Sequence, residues 1–261
     1  MNRIDPGLAD RLLEGPLEGH ATDGGTPRGG PGGFSACGAL LAYFNGSSRR
    51  FSGSVFDSFA GGGDRPDVQS RITHEDVLAV AAVNVTVSAR LSRQLLTDPV
   101  AGQLEHLLRR LPTDVDLWDA EDETIAVARQ AWEEIRTLDE DGHGTADRWV
   151  TASKLLARKR PRLVPLYDEK IRRVAALADG TDWWLSLREA LRHDCEDNEV
   201  RHRVRQAMCE AGVPGYVSVL RSLDVILWSY ATSRPARAGA KVFGRAGGGR
   251  DQPAYRPAYR P

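Results

Sequence analysis

Apolar residues recur along this chain three and four positions apart, the period of a helix that turns one face inward. Over 100–111 that face is Leu104, Leu107, Leu108 and Leu111, and over 122–138 it is Ile125, Ala128, Trp132 and Ile135. The ends of the predicted helices carry their own signals. Thr73 followed by Asp76 makes a capping box, with Asp for the usual Glu, and opens a helix over 73–85. Asp182 is placed to cap DWWLSLREALRHD, and Gly212 stops VRHRVRQAMCEAG. VSVLRSLDVILWSY, 217–230, is the last apolar helix. Trp183, Trp184 and Trp228 lie in such helices and are expected in the core. AVNVTVSAR, near 82–90, is the one contender for a strand. The segments do not resemble one another, which argues against a repeat architecture. The pattern predicts an all-α fold of roughly nine or ten helices of ordinary length.

Composition sets the boundaries. The 261 residues are 41% hydrophobic, enough for one sizeable core. Residues 1–35 are glycine-rich, with GTPRGGPGG at 25–33. They offer little apolar area against the entropy of ordering, so disorder is expected there, with a weak helix at 8–15. From about Ser233 the chain repeats PAYR and carries seven bases against Asp251. This reads as a basic disordered tail, 233–261, with polyproline character. The all-α domain is expected over 36–232.

Most familiar site chemistries are excluded. Cys37, Cys195 and Cys209 form no C-x-x-C pair, so neither a disulfide framework nor a cysteine-rich metal site is expected. A reduced, cytoplasmic setting fits them. The histidines are scattered without zinc-site spacing. DEDGHGTADRWV, 139–150, spaces its acids like a calcium loop, but Val150 stands where a bidentate Glu is needed, leaving a polar connector. FAGGGDRPDV, 59–68, lacks the Lys-Ser/Thr of a phosphate loop and reads as a turn. His193-Asp194-Cys195 is a local cluster at an expected helix end, not a demonstrated nucleophile pair. No metal and no cofactor is expected. The chain has no apolar run of about 18 residues, so no membrane partner is expected. Its first residues lack a signal-peptide layout.

Charge is uneven. Over 113–141, eleven acids stand against Arg129 and Arg136. The next segment reverses the sign: from Lys154 to Arg173, eight bases stand against Asp168 and Glu169. Within TASKLLARKRPRLVPLYDEKIRRV, Trp149, Ala152, Leu155 and Leu156 make an apolar stripe, and Lys154 and Arg158 share the opposite, polar face. Pro161 ends that helix. Asp168 precedes EKIRRVAAL and is placed as its N-cap. Lys154, Arg158, Lys159, Arg160 and Arg162 are the candidate phosphate contacts, since clustered cations bind nucleic acid by releasing its counterions. The competing reading pairs the acidic and basic segments with each other inside the fold.

The segments VTASKLLARKRPRLVPLYD and PTDVDLWDAED resemble a family of uncharacterised actinobacterial proteins, a domain of unknown function, over about 40–231. More remotely, residues 145–174 resemble helix-hairpin-helix DNA glycosylases: Thr151-Ala152, Asp168 and Ile171-Arg172-Arg173-Val174 fall at similar separations. In that family the aspartate stabilises positive charge on the sugar or activates the nucleophile, which would make Asp168 catalytic. Departures limit what carries over. Val150 occupies the place of the lysine that forms a Schiff base, Ala146-Asp147-Arg148 that of the hairpin glycines, and no cysteine cluster for iron–sulfur binding is present. The expected function is a helix-link-helix contact to nucleic-acid phosphate; the alternative is a non-enzymatic interaction or scaffold domain.

Overall fold

The apolar spacings become helices. The structure, a computed structural model, describes residues 4–18, 33–46, 51–138, 148–176, 182–192 and 198–233. Among them the order is α1 (Leu8–Leu13), α2 (Ala36–Phe44), α3 (His74–Ala82), α4 (Ala89–Leu96), α5 (Val100–Arg109), α6 (Asp122–Arg136), α7 (Trp149–Lys159), α8 (Glu169–Ala175), α9 (Trp183–Arg192), α10 (Glu199–Glu210) and α11 (Val219–Ser233). No strand occurs among the described residues, and the contender near 82–90 is the end of α3, a turn, an irregular link and the start of α4. Thr73 and Asp76 form the expected reciprocal capping box on α3. Asp182 accepts from the Leu185 amide at 3.1 Å. Gly212, with φ +61, follows α10 in the left-handed region that favours glycine.

Two helices organise the rest. α7 packs on α6 and α3, while α11 packs on α8, α2 and α10. Every residue of α7 from Thr151 to Lys159 is buried. A helix enclosed on all sides has no solvated face, so the expected polar face of Lys154 and Arg158 does not exist as a surface.

The weak helix expected at 8–15 forms as α1, and residues 4–18 around it pack into the core. α1 packs against α8, α9 and α10, with Leu8 and Leu17 fully buried and Leu12 at 1% exposure. Each buried leucine contributes about 1.5–3 kcal/mol relative to exposure, which offsets the ordering of a segment this short. The calcium-like loop at 139–147, the His193-Asp194-Cys195 cluster and the tail after Ser233 lie outside the described residues. No described helix is long and apolar enough to cross a membrane.

Candidate functional site

The basic stretch folds inward. Arg158 is 3%, Lys159 0% and Arg160 1% exposed. Most of their partners come from the chain between α2 and α3, which among its described residues forms two short 3-10 turns, Ser52–Val55 and Phe59–Gly61. Buried carbonyls in such a segment need donors from elsewhere. Arg158 donates to the carbonyls of Phe56 and Phe59. Lys159 Nζ donates to those of Gly63 and Val68, each at 3.0 Å. Arg160 reaches the Gln69 and Leu111 carbonyls, each at 2.9 Å, and that of Leu108. One carboxylate serves the group: Asp76 lies 3.2 Å from Arg158 Nε and 2.5 Å from Lys159 Nζ. Burial pushes the pKa of Lys159 down and lowers that of Arg160 to about 10. Gly63 is needed here because a Cβ would stand 2.6 Å from the Arg158 carbonyl oxygen.

This corrects the phosphate-contact assignment for Arg158, Lys159 and Arg160. Their donors are spent on the protein's own backbone and face no solvent. Lys154 is buried as well, at 7% exposure. Of the five assigned residues only Arg162 is exposed, and it makes a two-pronged pair with Asp116 at 2.9 and 2.6 Å. That contact joins the acidic segment to the basic one, but the buried cations draw their charge partner from α3.

Asp168 has a different setting. Its Oδ1 accepts from the amides of Lys170 and Ile171 at 2.9 and 3.0 Å, the expected N-cap of α8. Its Oδ2 lies 4.0 Å from Lys154 Nζ, which donates to the Val83 carbonyl at 2.6 Å. Burial pushes the pKa of Lys154 down, with Asp168 opposing.

Lys154 and Asp168 line a cleft of about 140 Å³ together with Tyr43, Phe51, Arg221, Asp224 and Trp228. Exposed Ser52 and Asn84 stand at its rim. Tyr43 and Phe51 stack with centroids 5.3 Å apart, and Trp228 meets both edge-on. Outside, Lys170 Nζ stands 4.6 Å over the Trp228 ring. Gly53 admits this packing, because a Cβ there would collide with the Tyr43 hydroxyl. In the floor, Arg221 holds Asp57 at 3.0 Å, pairs with Asp224, and donates to the Tyr43 hydroxyl at 3.0 Å. Asp224 is pushed up to about 6 by burial, against the pull of Arg221 and with the charge of Asp168 adding to the rise.

Trp183 and Trp184 are core residues as expected, whereas Trp228 is half-buried and lines the cleft. Sequence reasoning missed Arg221 and Asp224. The available signal was an Arg and an Asp three positions apart inside an otherwise apolar helix, since buried charges are kept only when paired. Among the described residues no group of three or more His, Cys, Asp or Glu side chains is arranged to hold a metal ion.

A model of a family of unknown function, DUF6308, matches residues 36–231. No curated protein and no solved structure matches.

Proposed function

Because the chain belongs to this family of unknown function, its activity has to be read from the cleft, and we propose that the cleft takes a nucleobase still joined to its sugar and hydrolyses the N-glycosidic bond. The observation that carries the reading is the setting of Asp168. Its Oδ1 is committed to the α8 cap, its Oδ2 lies beside Lys154, and the side chain lines a cleft walled by Tyr43, Phe51 and Trp228.

Each part suits that chemistry. Aromatic faces accept a planar base of any sequence, at about 1–3 kcal/mol per stacked base. Breaking the bond leaves positive charge on the sugar, and a fixed carboxylate in a partly dehydrated site stabilises it. Lys170, exposed above Trp228, supplies the cation for a neighbouring phosphate. The resemblance to helix-hairpin-helix glycosylases assigns Asp168 the same role. Val150, in the place of the Schiff-base lysine, points to hydrolysis by water rather than strand cleavage through the protein amine.

The test is incubation of the full chain with single- and double-stranded DNA carrying natural, deaminated or N-alkylated bases, with chromatography of the free bases. Release from at least one substrate is expected. No release from any of them overturns the reading and leaves the scaffold alternative, for which the Arg162–Asp116 contact between the two charged segments is the supporting observation.

A further inference from the structure

At the floor of the cleft and just beneath it, three carboxylates face two buried cations. Asp57, Asp168 and Asp224 face Arg221 and Lys154; Arg221 also donates to the Tyr43 hydroxyl and the Gly53 carbonyl, and Lys154 to the Val83 carbonyl. The side chains of Asp57, Asp224, Arg221 and Lys154 are each no more than 10% exposed, so bulk water screens this imbalance poorly. Lys170 stands over Trp228 at the rim and lowers the pKa of Lys154 further. One guanidinium shared between Asp57 and Asp224 cannot neutralise both. The cluster is relieved when one carboxyl keeps its proton, as two carboxylates do when they share a site.

The geometry points to Asp224 as the general acid of the proposed reaction, delivering its proton to the ring nitrogen of the departing base while Asp168 faces the sugar. Asp224 sits one helical turn before Trp228 on α11, so it lies on the same side of the helix as the wall against which the base stacks. Its pKa of about 6, raised first by burial, leaves about half of it protonated at pH 6 and about a tenth at pH 7. The inference rests on the glycosidic reading of the cleft.

The sugar C1′–N bond breaks and its electron pair goes to the ring nitrogen, which takes the proton from Asp224. Water adds its oxygen to C1′ and gives a proton to Asp168. Proton exchange with solvent then restores both carboxyls.

A leaving base that already carries positive charge needs no proton, which gives a discriminating experiment. Release of neutral bases, uracil and adenine, is compared with release of the cationic base 7-methylguanine, using wild type and Asp224→Asn. The variant is expected to lose about 10²-fold or more on the neutral bases, the usual size of a general-acid effect, and to stay within a few-fold of wild type on 7-methylguanine. Equal loss on both, or no loss on either, overturns the role of Asp224 and leaves the cleft reading standing. Wild type releasing no base of any class, natural, deaminated or N-alkylated, overturns both, and that failure is recognised without any variant. Should Asp224→Asn not fold, the wild-type pH profile decides. Neutral-base release is expected to fall above about pH 6 while 7-methylguanine release does not, and parallel profiles overturn the proposal.

Discussion

Lys159 meets Asp76 at 2.5 Å in the interior, and the same carboxylate holds Arg158 at 3.2 Å. Asp76 therefore does two jobs, closing the capping box of α3 and balancing the cations of α7. Removing it strands two buried charges, which is far costlier than losing a surface pair. Asp76→Ala is expected to lower stability by about 3–5 kcal/mol in urea denaturation. A loss below about 1 kcal/mol would place these cations in water and remove the account given of the basic stretch.

The same burial reverses an intuitive expectation about nucleic acid. Lys159 is fully buried, so its charge takes no part in counterion release. Nucleic-acid affinity measured against salt is expected to keep its slope in folded Lys159→Met. Lys170→Ala, at the exposed rim of the cleft, should reduce the slope by about one. A shallower slope for the Lys159 variant would contradict the buried assignment.

Asp168 combines a cap with a site carboxylate, and two substitutions separate the roles. Asp168→Ala removes both and is expected to destabilise the protein by about 0.5–2 kcal/mol. Asp168→Ser retains a capping oxygen, so its stability should lie close to wild type. Thermal denaturation of the pair checks this, and equal losses in both variants would mean that the cap contributes little.

The raised pKa of Asp224 has a stability signature whose sign is fixed. With a value of about 6 when folded against 3.8 as the reference, the folded state binds the proton more tightly. The resulting stability is fully present below about pH 4 and is lost as pH rises through about 6. Relative to Asp224→Asn, wild type is expected to lose up to about 3 kcal/mol across that window. Denaturation of both proteins at about pH 4 and about pH 7 reads the difference, and a constant difference would refute the raised value.

Much of the fold was legible in the sequence because its signals are local. The leucine spacing of α5, the Thr73–Asp76 box, the Gly212 stop and the Asp168 cap each depend on residues within a turn or two. The direction of the basic residues was not legible. Arg158, Lys159 and Arg160 turn inward because carbonyls between α2 and α3, and for Arg160 also at the end of α5, await donors, and nothing in TASKLLARKRPR records those acceptors. The same limit hid the packing of α1, whose helix was expected at 8–15 but whose partners α8, α9 and α10 lie far along the chain. For the site, Asp168 was singled out by its spacing, while its aromatic wall comes from α2, α11 and Phe51, elements far apart in the chain. Arg221 and Asp224 left a trace as charges within an apolar helix.

The most direct measurement of the central claim is the rate of base release by wild type and Asp168→Ser, side by side on the same DNA and with both proteins shown to be folded. The account predicts release by wild type and loss of about 10²-fold or more in the serine variant, because the cap survives and the carboxylate does not. An Asp168→Ser protein that releases base at the wild-type rate would contradict it.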